Sequence, residues 1–156
     1  MQYNHELDRY RIEHRKTLRN CMYGGKGEVC LVAPSGKGHT YRFSKPRNSE
    51  QFPGDVIFVS VLHDGQPFYI GMIEKQKFRL TQNSRFEEDC ESVKGAKYLM
   101  DMVNSDAFFE QSPMKVFHNG RCSVCGRSLD SERSIRDGIG KRCFAKPGTQ
   151  LRFEHV

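Results

Sequence analysis

The chain contains no tryptophan and no long apolar run. Its longest mostly apolar stretch, Val56 to Leu62, is strand-sized and is interrupted by Ser60. A membrane-spanning helix needs about 20 consecutive apolar residues. The N-terminal residues MQYNHELDRYRIEHRK mix both signs of charge and lack the apolar segment of a secretory signal. These absences argue against membrane and secreted classes, so we expect a cytosolic protein.

The sequence also lacks a recognisable set of catalytic residues. The segment around Lys37 fails as a phosphate loop, because Leu31 replaces its first glycine and Gly38 follows the lysine where Ser or Thr is needed. A zinc deaminase needs proline before its first cysteine, where this chain has Arg121, and a His-x-Glu upstream. We therefore expect no enzymatic activity and no small-molecule substrate.

Length and composition indicate a globular protein of one domain, with room for a small appendage. The chain has 156 residues, of which 37% are hydrophobic and 28% charged, and its net charge is +6. The charge is uneven: residues 1–50 and 113–156 each carry +5, whereas residues 51–112 carry −4. Two basic ends around an acidic middle could place one face of the protein against a polyanion.

The hydrophobic periodicity predicts an α+β fold: a small antiparallel sheet, one or two packing helices and a C-terminal zinc-knuckle module. We divide the chain into an N-terminal helical segment (1–22), a β-rich core (23–112) and a zinc-binding module with a basic tail (113–156). The first helix is predicted over 4–19, because Leu7, Tyr10, His14 and Leu18 form one stripe. Strands are predicted over 28–32, 39–43, 56–62, 68–74 and 77–81. A helix capped by Ser92 should follow over 93–103, with a further helical turn over 106–111.

The most informative pattern is Cys122-x-x-Cys125 followed by Gly126, with Cys143 further along the chain. Two intervening residues allow both sulfurs to reach one metal ion at about 2.3 Å. Glycine after the second cysteine tolerates the positive φ that closes the turn and lets backbone N–H groups point at sulfur. Asp130 or Ser131 should cap a short helix that ends near Gly138. Six cysteines without a secretion signal favour metal binding or free thiols over disulfides.

A closed zinc site needs a fourth ligand, and His118, four residues before Cys122, is our prediction. His155, His63 or a cysteine of the N-terminal half are alternatives, and water in the fourth position would leave the site open. Cys21 and Cys30 match no standard knuckle spacing, so we interpret both as partly buried free thiols. The predicted ligand set is therefore His118, Cys122, Cys125 and Cys143, with Zn²⁺ as the cofactor.

Basic residues surround these ligands and predict a second role for the module. They are Arg121, Arg127, Arg133, Arg136, Lys141 and Arg142. Three thiolates and a neutral histidine leave a zinc site at net −1, so these side chains would produce a basic surface able to contact phosphates. In sequences such as Tyr41-Arg42-Phe43, period-two alternation favours aromatic rings in the core and charges in water over aromatic stacking on bases.

The module also resembles a known segment. The run Gly-Arg-Cys-x-x-Cys-Gly-Arg-x-Leu from Gly120, followed by Ser-Ile-x-x-Gly-Ile-Gly-x-x-Cys ending at Cys143, is similar to a C-terminal zinc-binding segment of small, uncharacterised bacteriophage proteins. In that family a histidine commonly precedes Gly-Arg-Cys, as His118 does here. Lys141 stands where many members have proline, which leaves the ligands untouched. The resemblance implies a phage origin and a location in the host cytoplasm, and it implies no activity.

Two functions of different classes follow from these observations. The first is an accessory protein that binds nucleic acid through the basic zinc module. The alternative is a phage effector that binds a host protein and inhibits or redirects it. No membrane partner is expected in either case.

Overall fold

The computed structural model describes residues 5–46 and 56–145. Within these ranges one six-stranded sheet has the order β5-β4-β3-β2-β1-β6, and all neighbouring strands are antiparallel. The strands are β1 (Lys26–Val32), β2 (Gly38–Ser44), β3 (Ile57–His63), β4 (Gln66–Glu74), β5 (Lys77–Arg79) and β6 (Lys115–His118). The predicted α+β class is confirmed, and each of the five predicted strands is present with ends shifted by at most two residues.

The hairpins of the sheet follow local turn chemistry. Asp64 and Gly65 join β3 to β4 with φ values of 51° and 77°, the left-handed pair expected of an Asp-Gly turn. By contrast, β6 is only four residues long and has no hairpin partner in sequence, so it was not predicted. It pairs with β1, placing Val116 opposite Leu31 and His118 opposite Val29.

The two faces of the sheet differ. The inner face carries the main core, which includes Val29, Leu31, Tyr41, Phe43, Val59 and Val61, all buried. The buried aromatic rings of Tyr41 and Phe43 flank a half-exposed Arg42, as alternation predicted. The outer face carries the alternate residues, including Cys30, Val32 and Phe117, which form a small cluster with Leu7.

Five α-helices complete the described fold: α1 (Arg15–Tyr23), α2 (Glu91–Asn104), α3 (Asp106–Gln111), α4 (Glu132–Asp137) and α5 (Lys141–Ala145). In α2 the predicted apolar stripe from Val93 to Val103 is buried, and its members from Ala96 onward belong to the main core. The predicted N-cap Ser92 is wrong, because Cys90 occupies that position. The carbonyl of Ser92 instead accepts a hydrogen bond from the buried Tyr41 hydroxyl at 2.6 Å, which ties α2 to the sheet.

The predicted continuous helix over 4–19 is also wrong. A 3-10 helix spans His5–Tyr10, the backbone is extended at His14, and α1 begins at Arg15. Between the two helices the chain follows the edge strand β6: Arg11 bridges Phe117, and the Ile12 N–H donates to the Val116 carbonyl at 2.8 Å. Hydrogen bonding to an open sheet edge therefore replaces the helix over residues 11–14, about one helical turn.

Candidate metal centre

The structure brings Cys122, Cys125 and Cys143 together, with their sulfur atoms all within 4.8 Å of one another. Cys122 and Cys125 lie on a tight turn in which the Gly126 N–H donates to the Cys122 carbonyl at 2.9 Å. Gly126 has φ of 81°, the positive value that the sequence predicted. These three thiols form a group that could hold a metal ion.

Cys143 reaches the cluster because two short helices turn the chain back. Ser131 caps α4 by accepting from the Ser134 N–H, and Gly138 ends the helix in the left-handed conformation at φ 71°. Both caps match the sequence prediction. Helix α5 then begins at Lys141 and carries Cys143 on its buried side. The turn at Gly138 thus places the Cys143 thiol beside Cys125, although the two residues are 18 positions apart in the sequence.

Backbone N–H groups converge on the sulfur of Cys122. Gly140 donates to it at 3.3 Å and Val124 at 3.4 Å. Burial opposes ionisation of this thiol, but hydrogen bonds from Gly140, Cys125 and Val124 outweigh burial and lower the pKa of Cys122. Burial, together with the neighbouring thiols, raises the pKa of Cys143 to about 11. The site is therefore arranged to hold negative charge first at Cys122.

His118 does not join the cysteines, so the structure does not support its prediction as a ligand. Its Nε2–H donates to the Ile135 carbonyl at 2.6 Å, and its Nδ1 accepts from the Gly120 N–H at 3.0 Å. Burial lowers the pKa of His118, which keeps the ring neutral with both nitrogens engaged. The side chain instead fastens the end of β6 to α4 and to the turn before Cys122.

The other proposed fourth ligands are also outside the cluster. His63 lies at the end of β3, and Cys30 lies in the outer-face cluster with Phe117. Cys21 is buried in the main core next to Gly138, and burial, followed by its interaction with Cys122, raises the pKa of its thiol to about 12. His155 lies outside the described residues. Over 5–46 and 56–145, the group that could hold a metal ion consists of the three cysteines.

Helix α1 supports the metal centre from the N-terminal part of the chain. The Thr17 hydroxyl donates to the Arg136 carbonyl at 2.7 Å, and the Asn20 amide donates to the Asp137 carbonyl at 3.0 Å. These bonds satisfy carbonyls at the C-terminal end of α4. The predicted division at residues 22 and 112 stays a prediction, although buried residues of all three segments belong to one core.

The six predicted nucleic-acid-binding residues are all exposed: Arg121, Arg127, Arg133, Arg136, Lys141 and Arg142. Arg133 and Arg136 each lie near a carboxylate oxygen of Asp137, at 3.9 and 3.5 Å. Arg121 donates to the Gly126 carbonyl at 3.2 Å and so spans the cysteine turn. The side chains that would contact a polyanion are thus accessible around the cluster of three thiols, of which Cys122 and Cys143 are buried.

A cavity of about 860 Å³, where β2 and β3 separate, is lined by residues other than Cys122, Cys125 and Cys143. Pairing of these strands covers only Tyr41–Ser44 with Phe58–Val61, and the residues beyond line the cavity. Its lining includes His39, His63 and Glu91, and no lysine or arginine of the described residues lines it. This cavity does not offer the positive charge that a phosphate would need.

Comparison with known proteins identifies a family match. The C-terminal part, residues 113–148, matches a family described as a "Family of unknown function (DUF6011)". This match covers the cysteine turn, α4 and α5, and it supports membership of this segment in an uncharacterised family. No curated protein and no solved structure matches the chain. Among the described residues, no helix is long and apolar enough to cross a bilayer.

Proposed function

We propose that this chain is a zinc-binding accessory protein that binds nucleic acid through a basic surface around its three cysteines. The surface consists of the six residues predicted from sequence. Its exposure around the cluster of three thiols, two of them buried, is the observation that carries the proposal. The basic residues would bind nucleic acid and the metal would position them, and we assign no reaction to the protein.

Zinc is the metal that the donor set favours. Thiolates select soft or borderline metals such as zinc over magnesium and calcium, which prefer oxygen ligands. N–H groups directed at sulfur, as at Cys122, are the outer contacts that stabilise a thiolate on a metal. Cys122, Cys125 and Cys143 would hold the ion, and its role would be to fix the turn relative to α5.

The positive charge of the basic surface would exceed the negative charge of the metal site. Residues 113–145 contain seven Lys or Arg and three Asp or Glu, and three thiolates on Zn²⁺ add one negative charge. The resulting positive field would attract phosphates over a range set by ionic strength. The resemblance to phage zinc-binding segments supports a phage origin and action in the host cytoplasm.

Fluorescence anisotropy with duplex and single-stranded DNA at several salt concentrations tests the proposal. We expect affinity to fall steeply with salt. Each phosphate contact removed should flatten the log–log slope by about 0.9 for duplex and about 0.7 for single strands. The test variant replaces Arg121, Arg127, Lys141 and Arg142 with glutamine. A matched control replaces four exposed basic residues elsewhere: Lys75, Arg85, Lys94 and Lys97.

Two outcomes would contradict nucleic-acid binding. One is no association with DNA or RNA at low salt. The other is an equal change in salt slope for the test and control variants. Pull-down from host lysate then addresses the alternative. A stoichiometric protein that survives nuclease and high salt would support an effector that binds a host protein.

A further inference from the structure

The outer face of the sheet carries an ordered array of aromatic and basic side chains near the cysteines. One row across the strands aligns Glu28, Arg42, Ser60 and Tyr69. The next aligns Lys26, Ser44, Phe58, Met72 and Arg79. We call the surface formed by Lys26, Arg42, Phe58, Ser60, Tyr69, Met72 and Arg79 the outer platform. It was not predicted from sequence.

A β-bulge creates this arrangement. The register shifts between Val59 and Ser60, so that Gly71 opposes Val59 while Tyr69 opposes Ser60. The extra residue, Ile70, is buried in the core. The bulge lets Tyr69 and Met72, three residues apart, share the outer face.

The two aromatic rings of the platform are held in fixed positions. Phe58 and Tyr69 are half-buried, with ring centroids 5.8 Å apart and planes at 84°. The Tyr69 hydroxyl accepts a hydrogen bond from Thr81 at 2.9 Å. Ser60 beside them has a small side chain, so the two rings project above the neighbouring surface of the sheet. Aromatic rings held in this way can stack on nucleobases of any sequence.

Basic side chains flank the rings. The Arg42 and Arg79 side chains are 41% and 54% exposed, and Lys26 is exposed. Their acidic neighbours are Glu28, 4.0 Å from Arg42, and Glu74, 3.8 Å from Arg79. Partly exposed pairs at such long distances contribute little, so phosphates can compete for both arginines.

The platform continues into the basic surface of the cysteine turn. The Lys26 N–H donates to the Ser123 carbonyl at 2.8 Å. A Cβ added at Gly126 would lie 3.7 Å from the Lys26 side chain. Arg127 follows directly and is exposed. A nucleic-acid strand that extends from the cysteine turn would therefore reach Lys26 at the edge of the platform.

We propose that the outer platform binds single-stranded nucleic acid, with bases stacked on Phe58 and Tyr69 and phosphates paired with Lys26, Arg42 and Arg79. This proposal rests on the proposed function and extends it to a strand preference. Bases of a duplex are paired and stacked within it, so only a single strand can use the rings. Stacking and phosphate pairing need no 2′-hydroxyl, so DNA is a sufficient probe.

The test measures binding of a short single-stranded DNA oligonucleotide and of the matching duplex. Tyr69→Leu and Phe58→Leu remove one ring each and keep apolar volume. Each should weaken single-strand binding about tenfold and leave duplex binding within about twofold. Phe68→Leu is the matched control, because Phe68 is 48% exposed but pairs with Val61, off the platform. Thermal unfolding of each variant verifies that the sheet remains folded.

Two further readouts locate the contact. Arg42→Gln and Arg79→Gln should each flatten the single-strand salt slope by about 0.7. Photo-crosslinking with an iodouracil-containing oligonucleotide should label the peptides that contain Phe58 and Tyr69.

The outcomes separate the two proposals. If the glutamine variant around the cysteines loses binding while the leucine variants bind single strands like the unaltered protein, the platform is overturned and the proposed function stands. An equal loss of duplex and single-strand binding in the leucine variants also overturns the platform. If the unaltered protein binds no nucleic acid, both proposals fall.

Discussion

The sheet with α2 and the cysteine module, residues 120–145, differ in how much apolar side chain they bury. The sheet buries large side chains such as Tyr41, Phe43 and Leu99 almost completely. The cysteine module contains helices of only six and five residues, and its buried apolar side chains are few, chiefly Leu129, Ile135 and Ile139. Burial of apolar area can stabilise the first region, whereas the second contributes fewer buried side chains, which a bound metal would supplement. The comparison teaches that a metal would act locally, on the module.

Removing a thiol should produce the largest effect. We expect Cys122→Ser to abolish stoichiometric metal binding, since loss of a direct ligand exceeds the 10–100-fold cost typical of outer contacts. Cys30→Ser is the matched control, because Cys30 is buried in the outer-face cluster. Metal content by mass spectrometry of the native protein measures both. Equal metal content in the two variants would contradict the site.

Removal of the metal by a chelator should destabilise the cysteine module more than the sheet. With the metal removed, amide exchange should accelerate over residues 120–145 and remain slow in β1 to β4, because the sheet retains its own core. Hydrogen exchange by mass spectrometry provides the measurement. Uniform acceleration throughout the chain would instead mean that the metal stabilises the whole fold.

The sheet and the site differed in how far sequence could predict them. Strands β1 to β5 and α2 follow from short-range periodicity and turn residues, which act within a few positions. The edge strand β6, the break at His14 and the bulge at Ile70 depend on contacts between distant segments, which periodicity does not encode. The caps Ser131 and Gly138 were predictable because capping is local.

Spacing alone could not decide the role of His118. A histidine four residues before a cysteine suits metal ligation, but the same position also lies at the end of β6. There the backbone of Gly120 and Ile135 satisfies both ring nitrogens. Whether His118 is a metal ligand or a structural residue depends on where α4 packs, which is a tertiary property.

Replacing His118 should therefore affect stability rather than metal content. His118→Ala leaves the Ile135 carbonyl and the Gly120 N–H without their partner, and we expect unfolding to become easier by about 2–4 kcal/mol. Metal content should remain that of the unaltered protein. Denaturant unfolding measures the stability, and metal analysis measures the metal content. The control is His39→Ala, because His39 is half-exposed. Loss of metal from His118→Ala would restore its prediction as a ligand.

The contact between α1 and α4 should show a smaller effect. Thr17→Val preserves shape but removes the donor to the Arg136 carbonyl, which should cost about 1–2 kcal/mol. Thr81→Val makes the same change at the half-buried bond to Tyr69, where water can replace the lost partner, and should cost less. Chemical unfolding compares the two variants. A larger cost for Thr81→Val would contradict the idea that α1 supports the module.

Protonation of His118 should give the smallest effect. Burial lowers its pKa below the ordinary 6.5, so the unfolded chain takes up a proton in a pH range where the folded protein does not. The stability that neutral His118 contributes is therefore complete above about pH 7 and is lost as pH falls through its folded-state pKa. The stability difference between the unaltered protein and His118→Ala should narrow from about pH 8 to about pH 6. Because both proteins retain the cysteines, metal release affects them equally and cancels in the difference. A difference that widens on acidification would mean that the folded protein favours the charged ring, contrary to its backbone partners.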